Sequence, residues 1–170
     1  MQALKLPDGL YLRPKVQSDE PFLQALYIST RDDLLLIDQS QSEYQQLVEM
    51  QYQAQCAGYG EQFPNALYFI IEHHHQPVGK VSIDFGANDI RIVDLALVRE
   101  ARGKNLGKGV IQSLQFAATQ AGAPLSLTVD QQNLFARRLY HSLGFIVESE
   151  QQPYTLMVWY PPSNRVVVGV

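Results

Sequence analysis

The sequence predicts an α+β fold: a mixed, mostly antiparallel sheet of six to seven strands with about four helices. Three apolar segments at residues 66–72, 78–85 and 90–98 follow one another with short turns, which is typical of an antiparallel meander. A helical pattern and another apolar segment at residues 125–129 come next, which predicts a βαβ crossover. A single domain spanning residues 1–170 is expected, because 170 residues with 46% hydrophobic content can bury a sizeable core.

The elements before and within the meander are predicted from strand composition and helix-start signals. Residues 10–15 have the composition of a first strand. The segment Ser18-Asp19-Glu20-Pro21 combines capping residues with a proline, which predicts a short helix over residues 22–29. A second helix is expected over about residues 42–56. The turn between the first two meander strands is expected around Gln76-Pro77.

The elements after the meander follow from helical spacing and a glycine. The crossover helix should end at Gly122, and a helix over residues 133–142 precedes two final strands at 145–149 and 154–160. Residues 161–170 are expected to form a tail, whose apolar part is a candidate for an exchanged strand or for contact within a homodimer. The apolar positions predicted to be buried in the crossover helix are Val110, Leu114, Ala117, Ala118 and Ala121.

Charge and cysteine content argue against several classes of protein. The net charge of -4 and the pI near 5.5 are unlike those of a general nucleic-acid binder, whose surface is basic. The single cysteine, Cys56, cannot form an internal disulfide, and the first ten residues lack both a basic flank and a long apolar stretch. No apolar run approaches the ~20 residues needed to cross a bilayer. No nucleic-acid or membrane partner is therefore expected, and the cytoplasm is the expected location.

A glycine-rich segment joins the third meander strand to the crossover helix. It reads Arg102-Gly103-Lys104-Asn105-Leu106-Gly107-Lys108-Gly109 and offers a row of backbone N–H groups at a helix N-terminus, where phosphates bind well. A Walker P-loop is excluded, because the glycines enclose too few residues and no Ser or Thr follows the lysine. A dinucleotide fingerprint is excluded because Gln112 occupies its third glycine position. Taken alone, the glycines could also serve only a tight turn.

A second motif lies about two dozen residues later. Its pattern is Asn-x-x-Ala-x-x-Leu-Tyr-x-x-x-Gly-Phe, filled by Asn133, Ala136, Leu139, Tyr140, Gly144 and Phe145. Together with the loop, it resembles the GCN5-related N-acetyltransferase (GNAT) family, whose pyrophosphate loop reads Arg/Gln-x-x-Gly-x-Gly/Ala. The resemblance covers roughly residues 66–160. Asn105 stands where the family usually has its first loop glycine. Because Asn tolerates the left-handed backbone conformation, the loop should keep its shape. The property that this substitution could change is the affinity for the coenzyme.

The resemblance implies the family's mixed sheet and an acetyl-CoA-dependent N-acetyltransferase acting by direct attack in a ternary complex, without a metal. Two strands would splay apart to hold the pantetheine arm, and the loop amides and Arg102 would bind the pyrophosphate. Asn133 would approach the coenzyme, although Asn is also a favoured helix N-cap. The implied coenzyme contacts are Leu95, Ala96, Leu97, Val98, Arg102, Gly103, Lys104, Asn105, Leu106, Gly107, Lys108, Gly109, Asn133, Ala136 and Tyr140.

Tyr140 is the expected acid of this reaction. Acyl transfer to an amine needs a group that takes the amine proton, donors for the carbonyl oxygen and an acid that protonates the leaving thiolate. Tyr140 matches the tyrosine of the family motif, and a phenol can donate a proton to sulfur. Its place on an apolar helical stripe is also compatible with core packing.

Asp94 is the expected base. It is the polar residue on a strand face whose other members are apolar, where loss of solvent would favour a proton-accepting role. An edge position or an arginine partner is the alternative reading of Asp94. Glu72, Asp84 and a chain of water molecules are the other candidate bases. The other members of the predicted face are Ile90, Ile92, Ala96 and Val98.

The acceptor is less constrained. The resemblance implies that it enters between the first two helices and the sheet, in a region that includes Tyr27, Arg31, Asp32, Asp33, Tyr59 and Phe63. Acidic residues beside tyrosines suit a cationic amine, either a small molecule such as a polyamine or aminoglycoside or a peptide amine, but the acids could simply be solvated.

The His73-His74-His75 run is expected at a solvated hairpin end rather than at a metal site, because adjacent side chains point in different directions. The competing function is a non-catalytic acyl-CoA-binding sensor or interaction module, for which Asn105 is the sequence hint. The sequence does not distinguish N-acetylation from acetyl transfer to a hydroxyl group or from transfer of a longer acyl chain.

Overall fold

The computed structural model describes residues 6–40 and 42–162 and contains the predicted α+β fold. The strands are β1 (Leu10–Pro14), β2 (Leu67–His73), β3 (Gln76–Phe85), β4 (Ile90–Leu97), β5 (Leu125–Asp130), β6 (Ile146–Gln151) and β7 (Tyr154–Trp159). They form one sheet in the order β1-β2-β3-β4-β5-β7-β6. Only β4 and β5 pair in parallel, so the sheet is mixed and mostly antiparallel.

Five α-helices accompany the sheet in the described part of the chain: α1 (Glu20–Ser29), α2 (Asp32–Leu35), α3 (Ser42–Gln62), α4 (Leu106–Ala121) and α5 (Leu134–Ser142). The single-turn helix α2 was not predicted. Helix α3 continues beyond the predicted end at Cys56, because Gly58 and Gly60 lie within the helix and only Pro64 stops the helical backbone. Helix α4 ends as predicted at Gly122, which adopts the left-handed conformation with φ 65°.

Helices cover both faces of the sheet. Helix α4 packs on one face through fully buried Val110, Ile111 and Leu114. Helices α1 and α3 form a second cluster that packs on Ile70 of the other face. Ala121, predicted to be buried, is exposed, because the apolar stripe of α4 turns toward Ile111 instead.

The hairpin between β2 and β3 turns at His74-His75, not at Gln76-Pro77 as predicted. Both histidines have positive φ, 50° and 66°, which suits a two-residue hairpin loop. Pro77 lies within β3, where a β-bulge interrupts the ladder and makes the missing N–H tolerable.

A second β-bulge changes the faces of β4. Ile83 pairs with Ile92 and Ser82 pairs with Asp94, so Val93 is left without a partner on β3. Because one extra residue inverts the alternation of side chains, Asp94 lies on the face opposite Ile92. The predicted grouping of Asp94 with Ile90 and Ile92 is therefore wrong. Asp94 instead shares its face with Ser82 and with the side of the sheet that α1 and α3 cover.

The parallel pair β4–β5 is short. Its pairing extends only from Ile90–Leu125 to Ile92–Leu127, and beyond that point the strands separate. The splayed strands that the family resemblance implied are therefore present. Backbone groups on the β5 side of residues 94–97 consequently have no strand partner.

No helix in the described part of the chain is both long and apolar enough to cross a membrane. The predicted apolar tail contact, at residues 166–168, lies outside the described residues.

A partly buried ion-pair network ties β1 to the start of α1 and yields a stability prediction. The Arg13 guanidinium donates to both Asp19 carboxylate oxygens at 2.7 and 2.8 Å, and its Nε donates to Glu72 at 2.5 Å. The hydrogen bonds from Arg13 lower the pKa of Asp19 from 3.8 to about 2. A carboxyl group with a lowered pKa stabilises the fold above its unfolded value and loses that contribution as the pH falls through the folded value. We expect the unfolding free energy to fall by about 2 kcal/mol between pH 5 and pH 2 through this group.

Denaturant titrations across this pH range should show that drop in the wild type and a smaller one in Asp19→Asn, which has no charge to lose. Equal pH dependence in the two proteins would contradict the assignment.

Candidate active site

A cavity of about 640 Å³ collects residues from elements that are far apart in sequence. Its walls come from α1, the end of β4, the start of α4 and the inner face of α5. A smaller cavity of about 180 Å³ continues from it into the gap between β4 and β5. Of the predicted site residues, those that line the large cavity are Tyr27, Asp32, Asp94, Leu95, Ala96, Leu97, Arg102, Gly107, Asn133, Ala136 and Tyr140. The two sequence motifs therefore converge on one space.

The glycine-rich loop adjoins this cavity through Arg102 and Gly107 and contains free backbone amides. Helix α4 begins at Leu106 with no side-chain cap, and among the described residues no acceptor is bonded to an amide from Gly103 to Lys108. The amide of Gly109 donates to the Asn105 carbonyl at 3.0 Å, so it is not available for a phosphate. The loop thus offers uncompensated donors at the positive end of a helix dipole, as an anion site requires.

Val98 and Arg102 have partners within the protein. The Val98 amide donates to the Val78 carbonyl at 2.8 Å, so this amide is not available for the coenzyme contact predicted for Val98. The Arg102 Nε donates to the Leu97 carbonyl at 3.2 Å. This bond holds the guanidinium beside the loop while its other nitrogens remain exposed to solvent.

Asn105 takes the left-handed conformation with φ 61°, as predicted for the position where the family has glycine. We expect Asn105→Ala to weaken coenzyme A binding by about tenfold, because an alanine in this conformation costs ~1–2 kcal/mol and the loop would relax away from it. Asn105→Gly should bind as tightly as the wild type or more tightly. Calorimetric titration with coenzyme A measures both, and equal affinities for the Ala and Gly variants would contradict the role of backbone shape.

Asn133 caps α5 as predicted. Its Oδ1 accepts a hydrogen bond from the Ala136 amide at 3.2 Å. Because Asn133 also lines the large cavity, capping leaves room for the predicted coenzyme contact.

Tyr140 lies between the main core and the cavities. Its ring packs against Phe145 with centroids 5.8 Å apart, and it belongs to the edge of the main core. It also lines both the large cavity and the gap between β4 and β5. Burial, with a smaller effect from the negative charge of Asp94, raises the pKa of Tyr140. The phenol therefore keeps its proton at neutral pH, which is the form an acid needs.

Asp94 lies where the cavities meet. It forms an ion pair with Lys80, whose Nζ is 2.7 Å from the carboxylate, and both side chains are largely buried at 19% and 16% exposure. The alternative prediction, that Asp94 pairs with an arginine, is thus met by a lysine instead. Glu72 is held by Arg13, and neither Glu72 nor Asp84 lines a described cavity.

A further cavity, of about 270 Å³, adjoins the large one and shares Gln55, Lys80 and Asp94 with it. We call it the acceptor chamber, after the role that we propose for it below. Its roof is one face of α3, where Tyr52, Gln55, Cys56 and Tyr59 recur at helical spacing. Its floor is the sheet, through residues that include Tyr68, Ile70 and Ser82. Of these residues, only Tyr59 was predicted to lie near the acceptor, although the helical spacing of Tyr52, Gln55 and Cys56 was a signal for the rest of the roof.

The sequence model of the Acetyltransferase (GNAT) family matches residues 31–145, which is more than half of the chain. This chain belongs to the GNAT family. No curated protein matches the sequence.

Solved GNAT structures share the fold. PaiA N-acetyltransferase from Thermoplasma acidophilum, in complex with coenzyme A, superposes with TM-score 0.67 at 17% identity, over 89% of this chain and 98% of that one. An acetyltransferase from Thermus thermophilus gives 0.64 at 21% identity, over 92% and 99%. A point mutant of spermidine N-acetyltransferase SpeG from Vibrio cholerae gives 0.62 at 16% identity, over 91% and 95%. At these identities the likeness establishes the fold.

Two of the acceptor residues predicted for this GNAT protein have other partners. Arg31 lines none of the described cavities, because its guanidinium binds Asp33 and the Tyr27 hydroxyl. Asp32 lies 3.2 Å from Arg99 and is almost fully exposed. Asp32 and Asp33, the acidic pair that suggested a cationic acceptor, therefore each form an ion pair with an arginine. Tyr27 lines the large cavity and Tyr59 the acceptor chamber.

The histidine run lies at the hairpin end, as predicted. His74 and His75 are exposed, and the His75 ring stacks on Tyr11 with centroids 5.9 Å apart. Within residues 6–40 and 42–162, no group of three or more His, Cys, Asp or Glu side chains is placed to hold a metal ion.

Proposed function

We propose that this GNAT protein transfers an acetyl group from acetyl-CoA directly to a primary amine in a ternary complex. One observation carries the proposal: a single cavity combines an uncapped helix N-terminus, an unpaired strand edge and Tyr140, and Asp94 links that cavity to the acceptor chamber. Membership of an acetyltransferase family supports acetyl-CoA as the donor.

The coenzyme binds with its pyrophosphate on the amides of residues 103–108 and its pantetheine arm along β4. The arm takes the place of a strand partner beside Leu95, Ala96 and Leu97, where β5 has separated. Backbone N–H groups of this stretch donate to the thioester oxygen as negative charge develops on it. The thioester carbon then lies near the junction with the acceptor chamber.

The acceptor amine reaches the thioester from the acceptor chamber. An alkylammonium group must lose a proton before it can attack, and Asp94 is the carboxylate at the junction that can accept it. The nitrogen forms a bond to the carbonyl carbon, and the carbon–sulfur bond breaks. Tyr140 donates its proton to the departing sulfur and regains one as the new amide nitrogen releases its second proton. Asp94 passes the first proton to solvent, so that free coenzyme A and an N-acetyl product result.

Other members of the fold support an amine as the acceptor. SpeG is a spermidine N-acetyltransferase, and RimL is a ribosomal L7/L12 alpha-N-protein acetyltransferase. The binding-only alternative drew on Asn105, and that residue keeps the left-handed backbone of the loop. The geometry therefore favours the enzyme.

The test is release of free thiol from acetyl-CoA by the purified protein in the presence of alkylamines, arylalkylamines, polyamines, aminoglycosides, amino acids and short peptides. Amine-dependent release with an N-acetyl product is the expected result. Tight coenzyme A binding together with no release for any amine would favour the binding-only protein instead.

A further inference from the structure

The acceptor chamber has an ion pair at each end. At the inner end, Lys80 pairs with Asp94. At the outer end, the Lys15 Nζ lies 2.7 Å from a Glu20 carboxylate oxygen. A row of neighbouring residues on the sheet separates the two ends: the Lys15 amide donates to the Tyr68 carbonyl, Tyr68 pairs with Ser82, and Ser82 pairs with Asp94. Three strand spacings separate the Cα atoms of Lys15 and Asp94 by roughly 14 Å.

The walls between these ends are mostly apolar. Leu23, Tyr52, Tyr59, Phe69 and Ile70 line the chamber. Burial raises the pKa of Tyr59 to about 12, with a smaller effect from the charge of Asp94, so its phenol is neutral at physiological pH. The body of an acceptor in this chamber would therefore contact aromatic and aliphatic surface.

The outer end has the features of a cation site, and the protein's own lysine occupies it. The Lys15 ammonium lies 5.8 Å from the centroid of the Tyr68 ring and also contacts Glu20. Glu20 accepts a second hydrogen bond, 2.9 Å long, from the Tyr52 hydroxyl. A carboxylate and an aromatic face are the groups that would otherwise receive a second ammonium group of a ligand.

We propose that Lys15 acts as a built-in cation, so that the acceptor chamber selects monoamines with an apolar body over diamines and polyamines. This inference rests on the proposed amine acetylation. A ligand with one ammonium group places it at Asp94 and its apolar body along the walls. A second ammonium group would have to displace Lys15 or lie beside it, and like charges in a partly buried site repel.

The test compares two linear amines of equal size, hexylamine and cadaverine, which differ only in a terminal methyl against a terminal ammonium group. We expect the wild type to favour hexylamine by at least about tenfold in kcat/KM. Lys15→Met keeps the length of the side chain and removes its charge, which leaves Glu20 and Tyr68 free to receive the second ammonium group. The ratio of cadaverine to hexylamine should therefore rise by at least about tenfold in this variant.

Two matched variants complete the design. Lys15→Arg retains the charge and should keep the wild-type preference. Adding Glu20→Gln to Lys15→Met should remove the gain for cadaverine, because the carboxylate that would bind the second ammonium group is gone. Thermal melting shows whether each variant is folded. If Lys15→Met is unfolded, the amine preferences of the wild type and of Lys15→Arg test the role of the Lys15 charge.

A wild type that prefers cadaverine, or a ratio that Lys15→Met leaves unchanged, would overturn the inference. Calorimetric binding of the two amines to the coenzyme A complex gives the same ratio without turnover. Absence of acetyl transfer with selective hexylamine binding would refute only the proposed function. Absence of binding by both amines would overturn the built-in cation as well.

Discussion

Replacing Tyr140 by Phe is expected to lower kcat for acetyl transfer by about 10²- to 10⁴-fold, the usual contribution of a positioned general acid. The substitution removes only the hydroxyl group, so the packing of the ring on Phe145 is kept. Coenzyme A binding should weaken by no more than about tenfold, the cost of one hydrogen bond. Steady-state kinetics and calorimetric titration separate the two effects.

Tyr11→Phe is the matched control. Tyr11 is an exposed tyrosine on β1 that lines none of the described cavities, so the same chemical change there should leave kcat at the wild-type value. The pH profile gives a second check. Because burial raises the pKa of Tyr140 above its ordinary value near 10, the acid form persists through neutral pH and is lost only in strongly alkaline solution. A wild-type rate that falls near neutral pH through a group absent in Tyr140→Phe would contradict this assignment.

The second large effect is expected for Asp94→Asn, which should lower kcat/KM for the amine by about 10²-fold or more at neutral pH. The amide cannot take the ammonium proton, and it leaves the Lys80 charge at the junction without its partner. Acetyl-CoA affinity should change much less, because in the proposed complex the loop amides and the β4 backbone bind the donor. Initial rates at varied amine concentration measure the loss.

The pH dependence of this deficit distinguishes a base from a structural residue. An alkylamine with a pKa near ~10 is increasingly deprotonated as the pH rises, so the deficit of Asp94→Asn should shrink toward high pH. Asp84→Asn, on the neighbouring strand and outside the cavities, should show no deficit. A deficit that is constant with pH, or that appears as lost coenzyme binding, would show that Asp94 only holds the site together.

The backbone conformation of the two motif segments could be predicted because its signals are local. A loop of eight residues and a helix of about ten carry the two motifs, and their backbone conformations follow from the residues themselves. Asn105 is left-handed and Asn133 is an N-cap for reasons that the sequence already contains.

The acceptor chamber depends on contacts that are not local, and the sequence did not predict most of its residues. The bulge at Val93 arises from the pairing of β3 with β4, and it places Asp94 on the opposite face from the one predicted. The Lys80–Asp94 pair exists only because these two strands are neighbours. Similarly, Tyr52 and Tyr68 form a chamber because α3 lies over β2, which no single segment reveals.

The most direct test of the account is a single-turnover reaction with acetyl-CoA, enzyme and hexylamine, quenched and analysed by mass spectrometry. We expect free coenzyme A and N-acetylhexylamine to appear in equal amounts and at the same rate, with no acetylated protein on the way, and both to be slowed together by Tyr140→Phe. Thiol release without N-acetyl product, or an acetylated protein that forms before the product, would contradict direct transfer in a ternary complex.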